Sequence, residues 1–224
     1  MSIKSNLITR YQYTCSQKIT TLYKCQILWI CILLYSLVTF AADDETLFNA
    51  NSSDKKNSYP RWPQASFEWV YHPDHEPEWL LPDQGLELFK NAALAWKDCG
   101  LNIKFNGQKT QADIQSGDQI NSFGWRELPK ATRGITYRVM FKQSQFIKEA
   151  DILVNTDNLD IQKNAILLQK VVSHEFGHAL GLMHPASCED VMSNASDCGK
   201  KIANPPPLIP TENDLLQCKI RYQR

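Results

Sequence analysis

The chain has 224 residues, enough for one sizeable catalytic domain and hardly two. Its 24 basic and 24 acidic residues cancel, and no basic cluster argues for nucleic acid or a membrane surface as partner. No internal repeat or glycine-rich calcium-binding array is present, which excludes repeat architectures.

Ile27 to Ala42 is an uncharged, mostly apolar run preceded by Lys4, Arg10, Lys18 and Lys24. Sixteen residues are short for a transmembrane helix, which needs about 20. The basic start, the apolar stretch and the small residues before Asp43 read as a signal peptide over 1–42. A retained signal anchor is the alternative, since the basic region is long and no methionine other than Met1 precedes Met140. The remainder, 20 basic residues against 24 acidic, is expected to be secreted, periplasmic or anchored outside the cytoplasm by 27–42. Residues 43–63 read as a flexible polar leader and 64–224 as the catalytic domain.

Ala65 to Tyr71 alternates and is rich in aromatics, as a first strand should be. Leu86 to Lys97 spaces Leu86, Phe89, Ala93 and Trp96 for one buried helical face. Short strands are expected at Asn102–Phe105, within 111–125, at Gly134–Phe141 and at Ala150–Asn155. A helix starts near Asn164, and a last one at Thr211, with Thr211 as N-cap and Asp214 as its capping-box partner.

The helix from Asn164 carries the chemistry, in H-E-F-G-H-A-L-G-L-M-H from His174 to His184. His174 and His178 are four apart and leave one face, so both imidazoles can bind one Zn²⁺ at about 2.0–2.1 Å. Gly181 can take the positive φ that stops the helix, and the turn returns His184 as third ligand. The fourth tetrahedral position is left for water, as in catalytic rather than structural zinc sites. Glu175, beside the first histidine, suits a general base.

This stretch resembles the metzincin signature, with Met192 in C-E-D-V-M-S at the place of the Met-turn. The whole run 65–222 is similar to a matrixin-type catalytic domain, through R-G-I-T-Y-R, E-A-D-I-L-V-N and the N-D-L-L of the last helix. Pro185 departs from the matrixin pattern, and no tyrosine lies two residues beyond Met192. The resemblance implies an α+β fold, a twisted mixed sheet packed on two long helices plus a C-terminal helix. It implies a monomeric zinc endopeptidase with protein or peptide substrates and Asp214 anchoring the Met-turn. A cell-wall cross-link hydrolase and a non-catalytic zinc-binding exported protein are the alternatives.

A structural calcium or second zinc finds no support in the sequence. His72 and His75 are the spare histidines, in a proline-rich loop expected at the surface. Cys15, Cys25 and Cys31 fall in the segment expected to be removed. Cys99, Cys188, Cys198 and Cys218 remain, and an exported chain should pair them, in one of three ways. Cys188 and Cys198 flank Met192 closely enough to be bridged. The matrixin-like layout puts the end of the first helix near the last, which implies Cys99–Cys218 as well.

Overall fold

Five strands and three α-helices follow one another along the described residues: β1 (Ser66–Tyr71), α1 (Gln84–Ala95), β2 (Asn102–Gln108), β3 (Ser122–Arg126), β4 (Gly134–Met140), β5 (Ile147–Asn155), α2 (Ala165–Ala179) and α3 (Glu212–Tyr222). The structure is a computed structural model, and it describes residues 59–222 except 65, 110–113, 115, 159, 186, 195–197 and 199–206. The expectations for the signal segment, its three cysteines and most of the leader lie outside the described residues. No helix among the described residues is long and apolar enough to cross a membrane.

The strands form one sheet in the order β2-β1-β3-β5-β4. β1 runs parallel to β2 and β3, β3 runs parallel to β5, and β4 closes one edge antiparallel to β5. This is the mixed α+β architecture expected from the sequence. β5 is buried at every residue but Lys148, as suits an interior strand covered on both faces.

Alternation along β1 sends Phe67, Trp69 and Tyr71 to the face that receives the helices. Trp69 stacks on Phe123 of β3 with ring centroids 5.2 Å apart, and Phe176 of α2 meets Phe123 edge-on at 5.2 Å. Such pairs add about 0.5–1.5 kcal/mol each beyond the area they bury. Two indole N–H groups in this core find carbonyls on α2: Trp96 donates to Ser173 at 3.0 Å and Trp62 to Ala179 at 2.9 Å. On α1 the expected face is buried at Leu86, Phe89 and Trp96 and partly buried at Ala93, and the stripe widens to Leu88 and Ala92. α2 lies on the Leu88–Ala92 side, where Gln169 Nε2 donates to the Leu88 carbonyl at 3.1 Å.

Two expectations change in the structure. His72 is not on a surface loop: it is buried, its N–H donating to the Phe123 carbonyl at 2.8 Å and its Nε2 3.2 Å from Ser122 Oγ. β1 thus continues one residue into its register with β3, which carries His72 under the sheet end; His75 is exposed. The end of the polar leader, 59–62, is packed. Trp62 is buried, Arg61 bridges to Phe146, and the Arg221 guanidinium lies 4.4 Å over the Tyr59 ring.

Candidate metal centre

α2 is fixed at both ends by local chemistry. Asn164 caps it, its side chain accepting from the Leu167 N–H at 3.0 Å. At the other end Gly181 takes φ 86°, and Leu182 N–H donates back to the Gly177 carbonyl at 3.0 Å. A side chain at 181 would also strike the Pro60 carbonyl, so glycine is needed there on two counts. The turn brings His184 back over the helix.

There His184 Nε2 lies 3.2 Å from His174 Nε2 and 3.1 Å from His178 Nε2. A tetrahedral ion with bonds of about 2.0–2.1 Å sets its ligand atoms about 3.3 Å apart, so the three nitrogens fit one zinc. The other ring nitrogens support this. His174 Nδ1–H donates to the Val191 carbonyl and His178 Nδ1–H to the Leu182 carbonyl, each at 2.8 Å. A carbonyl can only accept, so in both rings the proton sits on Nδ1 and the Nε2 lone pair faces the centre. Burial lowers the pKa of both rings, helped for His178 by the neighbouring histidines and for His174 by the Lys170 charge. Lone pairs converging this closely suit a cation between them. Among the described residues these three histidines are the group that could hold a metal.

Glu175 is buried on the next helix position, facing the edge strand β4. Thr136 Oγ1 donates to Glu175 Oε2 at 2.7 Å. Burial pushes the carboxyl up to about 7, against the Thr136 hydrogen bond and the Arg138 charge, both of which lower it; a divalent cation beside it would lower it further. Gly134 lets β4 come this close, since a Cβ there would sit 2.8 Å from Glu175 Cγ. An open cleft of about 490 Å³ runs along this side, lined by Arg133, Gly134, Lys170, Glu175, Asn194 and the three histidines among others.

Met192 is buried beneath α2. A Cβ on Gly177 would collide with its Sδ and stand 2.8 Å from Trp96 Cζ2, so a glycine next to His178 seats the helix on the turn. Asp214 ties that turn to α3: its carboxylate accepts from Val191 N–H at 2.9 Å and Met192 N–H at 3.4 Å. It also accepts from Thr211 N–H at 2.9 Å, while Asp214 N–H donates to Thr211 Oγ1 at 3.2 Å, a reciprocal cap. Cys188 is joined to Cys198 and Cys99 to Cys218, with Cα atoms 5.5 and 5.1 Å apart. The structure therefore brings all the sequence-predicted residues to two places: the centre itself, and the turn and bridges that hold it.

Three residues at the site escaped the sequence reading. Thr136 stood in a predicted strand, but alternation does not say which face meets α2. Lys170 shows only as a charge one turn before His174. Asp190, which binds the Thr211 hydroxyl and Asn213 Nδ2, sits in an irregular segment without periodicity.

None of the curated proteins matches this chain. Among solved structures, the chain described as the GM1-bound form of the ECX AB5 holotoxin is 13% identical. The match covers 69% of this chain and 80% of that one at a TM-score of 0.45, too loose to bear on fold or activity. The family model for matrixins matches residues 61–204, from the bridge at Arg61 through the whole sheet, the histidine helix and the Met192 turn. By that match over more than half its length the chain belongs to the matrixins, and family membership makes it a zinc-dependent endopeptidase.

Proposed function

We propose that this matrixin acts outside the cytoplasm on protein or peptide substrates, with His174, His178 and His184 as zinc ligands and Glu175 as general base. The observation that carries the reading is the convergence of three Nε2 atoms beside a buried carboxylate. The chemistry a bound zinc supplies is Lewis acidity toward a carbonyl oxygen and a lowered pKa for water. Glu175 takes the proton of the attacking water and delivers it to the leaving amine. The Thr136 hydroxyl, 2.7 Å away, keeps that carboxylate aimed into the cleft. Among the described residues β4 pairs with β5 alone, and its outer edge can align an extended substrate through backbone hydrogen bonds. Met192 floors the site beneath Gly177 without ligating. The two disulfides suit an oxidising compartment, and cleavage of the signal near Ala42 or Asp43 would release the chain there.

The test uses the zinc-loaded full chain on unfolded casein, with and without chelator. Glu175→Ala should keep about one zinc and lose roughly 10²–10⁴-fold in turnover, whereas His178→Ala should lose the metal. Comparable turnover in Glu175→Ala would take that residue out of the mechanism. Activity on purified cell-wall peptidoglycan but not on casein would favour the cross-link hydrolase.

A further inference from the structure

The cleft carries positive charge that a metal centre does not need. Lys170 and Arg133 both line it with His174 and Glu175. Lys170 is one helical turn before His174, so its side chain leaves the same face of α2. Arg133 is already matched, its Nη2 2.7 Å from Asp160 Oδ2. Lys170 has no such match: among the described residues it is in no ion pair, and it is half-buried. Burial and the Arg133 charge both work against its ammonium form. The remaining lining is apolar at Leu167 and Val171 and uncharged at Ser193 and Asn194, and the Glu175 carboxylate accepts from Thr136 and forms no ion pair with Lys170. A half-buried ammonium without a counter-ion is costly, and an anionic ligand relieves that cost.

We infer that Lys170 is a specificity-determining residue that receives a peptide carboxylate next to the scissile bond. The inference rests on the endopeptidase reading and names its substrate class, peptides acidic at one flanking position. Successive side chains of an extended peptide point to opposite faces, so one position flanking the bond should show the preference and its neighbour should not. The carboxylate could come from an aspartate or glutamate side chain or from the substrate's own C-terminus.

Fluorogenic peptides carrying Glu, Gln or Lys at each position flanking the cleaved bond, each with a free and an amidated C-terminus, separate these sources. With the zinc-loaded full chain, kcat/KM for Glu should exceed that for Gln by about 10- to 100-fold at one position, as a charge-assisted hydrogen bond supplies. The ratio should shrink as salt is raised. Lys170→Met should bring it near one and Lys170→Glu should turn it toward Lys, while Lys90→Met on α1 leaves it unchanged. A preference tied only to the free C-terminus assigns the carboxylate to the chain end. Calorimetric binding of the same peptides to zinc-loaded Glu175→Ala gives a readout without turnover. Glu-over-Gln binding with no cleavage by the native chain would overturn the endopeptidase reading and keep this inference. Cleavage and binding indifferent to Glu and Gln, or a preference that survives in Lys170→Met, would overturn the inference.

Discussion

Two irregular segments of this molecule are tied to buried carboxylates, and they are held differently. At the Met192 turn, Asp214 receives N–H groups from Val191, Met192 and Thr211, and the Thr211 hydroxyl lies between it and Asp190. At the far end of the sheet, the segment 116–121 crosses the start of β5. There Glu149 accepts from the amides of Gly117 and Gln119, and Asp151 Oδ1 from Ser122 N–H at 3.0 Å. Among the described residues, however, no hydrogen-bond donor reaches the buried Asp151 Oδ2. Burial raises the pKa of both aspartates. Asp151 goes up to about 8, since one amide opposes burial while Glu149 and Asp118 add like charge. The contrast shows that a buried carboxylate ties down a loop in proportion to the donors it is given.

The largest test of this contrast removes what carries Asp214 to the turn. Cys99–Cys218 closes a 119-residue separation and anchors α3, and loop entropy gives it about 5 kcal/mol, against about 3 for the ten-residue Cys188–Cys198 loop. Cys99→Ser/Cys218→Ser should therefore lose more stability in urea unfolding, and Cys188→Ser/Cys198→Ser more turnover per unit of stability lost.

Next in size is Asp214→Ala, which strands the Val191 and Thr211 amides and should cost about 3 kcal/mol. A loss below 1 kcal/mol would mean that water replaces the carboxylate and that the turn holds itself.

Asp151→Asn should behave in the opposite way. Between its ordinary value of 3.8 and about 8, Asp151 keeps in the folded chain a proton that the unfolded chain has released. Its contribution is thus full below about pH 4 and declines as pH rises through 8, by at most about 1.4 kcal/mol per unit. The asparagine variant should match the native chain near pH 4 and exceed it in urea midpoint at pH 8. Equal pH slopes in the two proteins would take Asp151 out of the pH dependence.

The histidine triad and its turn were legible because helical period and a glycine at 181 fix direction in one short stretch. Asp214 was legible through the local spacing of its cap with Thr211. What sequence did not carry depends on packing between distant segments. Thr136 reaches Glu175 only because Gly134 admits β4 against α2, and Lys170 shares a cleft with Arg133 only across the same contact. His72 misled because Pro73 suggested a loop, while the register of β1 with β3 continued through it.

The Nδ1 bonds of His174 and His178 have a consequence for how the molecule responds to its surroundings. Their acceptors, Val191 and Leu182, belong to the two stretches of chain that follow the helix, so any ion gathered by the imidazoles also pins those stretches. Metal occupancy and local order are then one thermodynamically linked quantity. Each tenfold rise in free zinc above its dissociation constant adds about 1.4 kcal/mol to the folded state. Where zinc is scarce, the enzyme would lose its resistance to degradation as well as its activity, so that the supply of the ion sets how long the protein lasts.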